Sequence, residues 1–228
     1  AITNDPTSPL ANAAEYHLAI NAGEERSVAA TKTYTAELTA IAMLIAELVN
    51  QTETYDNLER LPLIIQQTLT LSEPVANWVE RYRYMERFAV VSRGYNYCTA
   101  FEISLKIKEL CYITGEEYSE ADFRHGPIAV VQPGFPVMVI APEGKTFEKQ
   151  LELLSLLQEK QAECLVISNA AECEALAKHT MPLPAHIPEW LSPIAAVVPG
   201  QIFAMNLALA RGHAVDQPRG LTKVTVTV

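Results

Sequence analysis

The chain has 228 residues, of which 49% are apolar and 19% are charged. This composition supports a buried core and excludes a disordered or linker protein. The 27 acidic and 17 basic residues give a formal charge of −10, so we predict no nucleic-acid partner, because the phosphate backbone carries the same sign.

Apolar runs and the start of the chain argue against a membrane protein. We find no run close to the roughly 20 apolar residues that a bilayer requires. The longest candidate, over 40–49, is interrupted by Glu47. No basic segment leads into an apolar core, so we expect no signal peptide and predict a cytoplasmic location. Because Ala1 stands inside a strand-like segment, we expect a truncated, processed or partly observed polypeptide.

The four cysteines predict free thiols. Cys98, Cys111, Cys164 and Cys173 form no CxxC pair, and each lies in an apolar or helical stretch. A zinc site needs closer spacing with histidines. A structural metal or a disulfide is the alternative, but buried thiols in a reducing compartment are expected. No metal or cofactor is predicted.

The first third of the chain predicts a short strand followed by helices. In order, we predict a strand over 14–20, a helix from 30 or 31 to 50, a polar loop over 51–59, and helices over 61–71 and 74–84. Pro62 is placed in a first helical turn, where proline is tolerated.

From residue 87 onward, apolar strands alternate with helices. The predicted strands cover 87–91, 136–141, 163–167 and 181–183, and the predicted helices cover 100–113, 147–160, 171–178 and 190–211. Strands without polar alternation indicate a parallel sheet covered on both faces, that is, an α/β fold. We predict two domains: the C-terminal part of one subdomain with linking helices over 1–72, and a complete subdomain with a tail over 73–228.

Charged residues cluster behind the first of these strands. Ser92 and the backbone amides that follow it could hold an anion, although an ordinary strand-to-helix turn is the alternative. On the next helix, Glu102, Lys106 and Glu109 fall within about 60° of one another at roughly 100° per residue. The simpler interpretation of that spacing is a solvated face with weak ion pairs.

Two further segments could carry chemistry. Residues 116–127 combine acids, a tyrosine and an arginine with His125, and they end in Gly-Pro. A histidine on a rigid turn suits acid–base chemistry, although an exposed loop histidine is the alternative. In the tail, Lys223 is either an exposed lysine, a phosphate ligand or a Schiff-base residue.

Three blocks of the sequence resemble the sugar isomerase (SIS) domain family. The first is 28–32, Val-Ala-Ala-Thr-Lys. The second joins 102–109, Glu-x-x-x-Lys-x-Lys-Glu, to 117–127, which contains Glu117 and His-Gly-Pro. The third is 216–226, Asp-Gln-Pro-Arg-x-Leu-x-Lys-x-x-Val. Their order and spacing fit nearly the whole chain, and the likeness is greatest to the amino-sugar-phosphate aminotransferases and deaminases of the family.

The resemblance implies a flavodoxin-like three-layer α-β-α sandwich and a role for each matched residue. Glu109 would move a proton between C1 and C2 of the open-chain sugar, and Lys106 would stabilise the enediolate. His125 would open the sugar ring from the neighbouring subunit of a homodimer. Lys223 would form a Schiff base with the ketose. The positions that line the sugar pocket would be Val28, Ala30, Thr31 and Thr222.

The implied substrate is a phosphorylated sugar or amino sugar, fructose 6-phosphate or glucosamine 6-phosphate. Lys32, Lys106 and Lys223 are then expected to face the anionic ligand. The family usually has Ser at the position of Ala30. Its Ser/Thr-rich phosphate loop and the glutaminase domain of the aminotransferases are not among these residues, so we expect the chain to bind substrate weakly. Residues 208–213 and the tail favour the deaminase branch slightly.

Two other functions remain open at this point. SIS domains also occur as sugar-phosphate sensors in transcription regulators, but those carry a basic helix-turn-helix arm that this acidic chain does not show. A degraded pseudo-enzyme is compatible with Ala30, although the retained Glu109, His125 and Lys223 argue against it.

Overall fold

The computed structural model describes residues 1–223 of the chain. By internal packing the chain forms two compact units, one of residues 1–62 with the tail from residue 215, the other of residues 63–214. The subdomain boundary predicted at residues 72 and 73 stays a prediction. The end of the third resemblance block, including Val226, lies outside the described residues.

The first unit contains a small parallel sheet and a long helix. Its strands are β1 (Ile2–Thr3) and β2 (Leu18–Ala19), which pair in parallel. Its helices are α1 (Pro9–Ala13), α2 (Lys32–Val49) and the first part of α3 (Thr52–Ser72). The predicted strand over 14–20 is therefore reduced to two residues, whereas the helix that ends at Asn50 is confirmed. Asn50 ends α2 because it adopts a left-handed conformation, with φ of 51°.

The second unit is built on a five-stranded parallel sheet in the order β4-β3-β5-β6-β7. The strands are β3 (Arg87–Ser92), β4 (Thr114–Ser119), β5 (Pro136–Ile140), β6 (Glu163–Ser168) and β7 (His179–Pro182). β3, β5 and β6 are buried over nearly their whole length, which explains why apolar runs predicted them. β4 was missed because it lies at an edge of the sheet and carries polar, partly exposed side chains.

Helices cover both faces of this sheet. They are α4 (Val75–Trp78), α5 (Tyr97–Cys111), α6 (Glu120–Arg124), α7 (Phe147–Glu159) and α8 (Ser192–Ala210). Ala89 and Val91 of β3 pack with Leu153 and Leu157 of α7 in one buried cluster. α5 contacts β3, α8 contacts β6, and the two helices pack on each other. Since alternate strand residues point to opposite faces, this pair of helices forms the other layer, and the three-layer α/β fold is confirmed.

Two further predicted elements differ from the structure. The polar segment 51–59 is helical, because its polarity belongs to the exposed face of α3 rather than to a loop. Pro62 accordingly lies inside α3 and not in a first turn. The helix predicted over 171–178 is only a single 3₁₀ turn at Ala171–Cys173. The chain must return from β6 to pair with β7 within ten residues, which is shorter than a crossover helix normally needs.

Helix α8 is more apolar than the sequence reading allowed. Within residues 1–223 it is the one helix that passes a length and composition test for a membrane span, as part of the segment Glu189–Ala210. The expectation that no run approaches that length is therefore wrong. However, 67% of the 18-residue apolar stretch within this segment is buried inside the fold. An apolar helix buried in this way is accounted for by packing against α5 in the core.

The cysteines are free thiols in two environments. Cys111, Cys164 and Cys173 are buried, and burial raises the pKa of the Cys111 and Cys164 thiols to about 12. Cys98 is exposed near the start of α5. The expected burial therefore holds for three of the four cysteines.

Candidate active site

Helix α5 brings three charged side chains into one cluster. The Lys106 ammonium Nζ lies 2.6 Å from Oε2 of Glu109 and 3.7 Å from Oε1 of Glu102. The Lys106 side chain is 4% exposed and that of Glu102 is 8% exposed, whereas Glu109 reaches the surface with 24%. A solvated face, the simpler interpretation of this spacing, is therefore wrong. The helix places a buried cation between two carboxylates, one of which a ligand can reach.

The buried carboxylate of this cluster has unusual proton affinity. Burial raises the pKa of Glu102 to about 7, and the charge of Lys106 and a contact from Gln201 only partly oppose that rise. Gln201 belongs to α8, and its Nε2 lies 3.5 Å from Oε1 of Glu102. The cluster is therefore closed on one side by the helix that packs against α5.

A second ion pair ties α5 to strand β4. Nζ of Lys108 donates to Oε2 of Glu117 at 3.0 Å. Although burial opposes it, hydrogen bonds and the charge of Lys108 lower the pKa of Glu117. The two halves of the second resemblance block are thus joined in the folded chain, because the end of α5 and the edge strand lie side by side.

His125 stands immediately after the short helix α6. It is exposed, and its backbone N–H donates to the carbonyl oxygen of Asp122 at 3.1 Å. Within residues 1–223, no hydrogen bond or ion pair joins the side chain of His125 to Lys106 or Glu109.

Ser92 is not available to hold an anion. Its side chain is fully buried, and Oγ donates to the carbonyl oxygen of Ile140 at 2.8 Å. Asn96, at the end of the same turn, is also buried and donates to the hydroxyl of Ser192 at 2.7 Å. The two side chains thus hold the strand-to-helix turn to β5 and α8, and anion binding by the backbone amides of the turn stays a prediction.

The tail folds back in the first unit onto the segment before α2. The Val28 N–H donates to the carbonyl oxygen of Asp216 at 3.1 Å, and Nζ of Lys223 donates to that of Ser27 at 2.5 Å. Lys223 therefore contacts the segment that contains Val28, a candidate residue far away in the sequence. Ala30 is half-buried in the same segment, and Thr222 is exposed beside Lys223.

Glu25 organises the start of α2 and was not recognised from the sequence. Its Oε2 accepts hydrogen bonds from the backbone N–H groups of Thr31 and Thr33 at 3.2 and 3.0 Å and from the Thr33 hydroxyl at 2.9 Å. Burial opposes ionisation, but these hydrogen bonds and the charge of Lys223 hold the pKa of Glu25 below its ordinary value. The backbone N–H of the candidate residue Thr31 is thus engaged by the Glu25 carboxylate, which caps the helix. Nζ of Lys32 donates to the carbonyl oxygen of Glu24 at 2.5 Å.

Comparison with known proteins identifies the fold family and several relatives. The SIS domain profile matches residues 1–47 and 83–211. The glutamine–fructose-6-phosphate aminotransferase (isomerizing) of Pyrococcus horikoshii is 34% identical over 100% of this chain and 38% of its own length. The enzyme of the same name from Aquifex aeolicus is 37% identical over 100% of this chain and 38% of its own length. The chain therefore spans about two fifths of these relatives.

Solved structures agree with that match. The C-terminal domain of glucosamine-fructose-6-phosphate aminotransferase from Francisella tularensis superposes with a TM-score of 0.86 at 27% identity, covering 95% of this chain and 64% of that one. A glucosamine-6-phosphate deaminase from Thermotoga maritima superposes with a TM-score of 0.81 at 23% identity, covering 99% and 66% of the two chains. The second likeness concerns the fold alone.

Proposed function

The chain belongs to the SIS domain family, and from that premise we propose that it is a sugar-phosphate isomerase-type catalytic region acting on amino-sugar phosphates. The reaction interconverts fructose 6-phosphate plus ammonia with glucosamine 6-phosphate plus water, and its isomerisation step transfers a proton between C1 and C2 of the open-chain sugar. The names of the curated relatives support the isomerase part of a glutamine–fructose-6-phosphate aminotransferase over the stand-alone deaminase that the tail favoured. A cytoplasmic, homodimeric enzyme without a metal or cofactor is part of the proposal.

The observation that carries this proposal is the cluster on α5. An aldose–ketose shift needs a base that can serve two adjacent carbons and a positive charge near the enediolate oxygens. Glu109 supplies a reachable carboxylate, and Lys106 supplies a buried ammonium 2.6 Å from it. Because Lys106 is 4% exposed, water screens its charge weakly, and the charge acts strongly on a bound anion.

The remaining residues have supporting roles in the proposed reaction. His125 opens the sugar ring, and in the homodimer it enters the site of the neighbouring subunit. Lys223 forms a Schiff base with the ketose, while Val28, Ala30, Thr31 and Thr222 line the sugar. The proximity of Lys223 to Ser27 and Val28 supports this arrangement, because it places the amine next to the segment that would hold the sugar.

Deuterium exchange tests the assignment of Glu109. We expect the full-length protein in D₂O to introduce deuterium at C1 of fructose 6-phosphate, and Glu109→Gln to reduce that exchange by at least about a hundredfold, since an amide cannot accept the proton. NMR spectroscopy of the sugar measures both rates.

Glu148→Gln is the matched control, because Glu148 is an exposed carboxylate in the first turn of α7. It should exchange at the wild-type rate. Exchange that survives Glu109→Gln would remove the proposed base. Substrate-induced stabilisation without any exchange would instead support the sugar-phosphate sensor.

A further inference from the structure

Helix α6, which leads into His125, is too short to hold itself in place. It comprises five residues, Glu120–Arg124, and isolated helices of that length are unstable in water. Ser119 caps its first turn, accepting a hydrogen bond from the Asp122 N–H at 3.1 Å. That cap is local to the helix, so the position of α6 in the fold, and with it the position of His125, depends on other contacts.

Two features anchor α6 to the fold: Phe123, which is fully buried in the core, and a buried carboxylate held by two guanidinium groups. Glu120 is 2% exposed; its Oε2 lies 2.7 Å from Nη1 of Arg93, and its Oε1 contacts Nε of Arg124. Arg93 directly follows β3, Glu120 directly follows β4, and the last residues of these two strands, Ser92 and Ser119, face each other in the sheet register. The carboxylate therefore ties α6 to the ends of both strands.

The same cluster extends to the neighbouring helix. Nη2 of Arg124 donates to the carbonyl oxygen of Lys149 on α7 at 2.9 Å, and Nη1 lies 3.6 Å from Oε2 of Glu152. Since Arg124 is the residue before His125, both ends of α6 are fixed to different parts of the fold. The backbone that carries the histidine has little freedom left.

Stability alone does not explain a buried charge at this position. Replacing a buried ion pair by well-packed apolar side chains is often neutral or stabilising, whereas the directional contacts of guanidinium groups fix one geometry. We infer that Glu120, held by Arg93 and Arg124, is a positioning residue that sets the place of His125 for the ring-opening step. This inference rests on the proposed function, in which His125 opens the sugar ring.

The test separates ring opening from the later proton transfer. Fructose 6-phosphate closes its ring through O5, so 5-deoxyfructose 6-phosphate has no O5 to close with and stays open. We expect Glu120→Gln to lower kcat/KM for fructose 6-phosphate by about tenfold to a hundredfold, as a misplaced acid–base group does, and to leave turnover of the 5-deoxy sugar within about twofold of wild type. His125→Asn should show the same selectivity, and the double variant should lose no more than His125→Asn alone.

Matched variants guard against a general loss of structure. Glu152→Gln also removes a partner of Arg124, but an exposed one, and should be as active as wild type on both sugars. If circular dichroism shows that Glu120→Gln does not fold, Arg93→Lys replaces it, because this variant keeps the charge and loses the planar guanidinium. It should lower kcat/KM for fructose 6-phosphate by a smaller factor and again spare the 5-deoxy sugar.

Each result has a distinct meaning. Equal losses on both sugars, or no loss on either, would overturn the positioning role of Glu120. Unimpaired turnover of fructose 6-phosphate by His125→Asn would overturn the ring-opening role and the inference with it. Failure of the proposed function would be recognised by a separate result, namely activity that survives Glu109→Gln.

Discussion

Single side chains of α5 are buried to a degree that their spacing alone does not reveal. Lys106 and Glu102 look like members of a solvated face in the sequence, but both are nearly buried because α8 packs over them. Burial makes the Glu102 carboxyl hold its proton more tightly, and this effect outweighs the opposing charge of Lys106. The consequence is measurable as a pH dependence of stability.

Glu102 should make the folded protein less stable as the pH rises through its raised pKa. Burial raises that pKa from 4.5 to about 7, so between these values the folded state binds more protons than the unfolded state. Stability therefore falls with rising pH in this window, by about 2–3 kcal/mol from this one group. The side chain of Glu102→Gln stays neutral at every pH. Relative to this variant, the wild type should lose about 2–3 kcal/mol of unfolding free energy between about pH 4.5 and pH 7.5.

Urea unfolding at a series of pH values measures the difference. Glu148→Gln serves as the control, because it removes one carboxylate from the surface instead of from the buried cluster. A flat difference between wild type and Glu102→Gln would mean that Glu102 stays ionised in the fold.

At the scale of elements, one glycine decides how closely two helices approach. A Cβ built on Gly200 of α8 would lie 2.3 Å from Cδ1 and 2.4 Å from Cγ1 of Ile103 on α5. Ile103 is fully buried, so it has no room to move aside. The absence of a side chain at Gly200 therefore sets the distance at which α8 covers the α5 cluster.

Gly200→Ala should destabilise the protein, although helix propensity predicts the opposite. Alanine gains about 1 kcal/mol over glycine in a helix interior, but overpacking a buried contact costs about 1–3 kcal/mol. We expect a net loss of unfolding free energy in thermal or urea melts. Adding Ile103→Val to Gly200→Ala removes Cδ1 and should recover part of the lost unfolding free energy. A Gly200→Ala protein more stable than wild type would contradict the close approach of the two helices.

How far the elements could be predicted depends on burial. β3, β5 and β6 are buried on both faces and stand out as apolar runs, whereas the edge strand β4 exposes polar side chains and looks like a loop. The segment 171–178 has a helical composition, but the short return to β7 prevents the helix. The short connection between β6 and β7, which the composition of the segment does not encode, therefore decides its structure.

At the scale of the whole molecule, the candidate residues were recognised from spaced motifs, but their contacts were not. Lys106 contacts Glu109, and Nζ of Lys223 donates to the carbonyl oxygen of Ser27, the residue before Val28. Gln201, Glu25 and the Glu120 cluster gave no motif signal, because their partners lie far away in the sequence or at unpatterned spacings. That His125 enters the site from the neighbouring subunit stays a prediction.

Mixed dimers test whether His125 crosses between subunits. His125→Asn and Glu109→Gln proteins should each be inactive on fructose 6-phosphate. After subunit exchange, a one-to-one mixture should recover about a quarter of wild-type activity, because half of the dimers are mixed and one of their two sites is intact. A mixture no more active than its components would place His125 in the site of its own chain.

The late position of α8 in the chain has a consequence for biosynthesis. This helix supplies much of the layer that covers α5, yet it is the last regular element of the second unit, at Ser192–Ala210. On the ribosome, the parallel strands from β3 to β7 emerge before it and leave one face of the sheet and the apolar side of α5 open to water. The nascent unit therefore depends on protection from aggregation until nearly its entire length has been made.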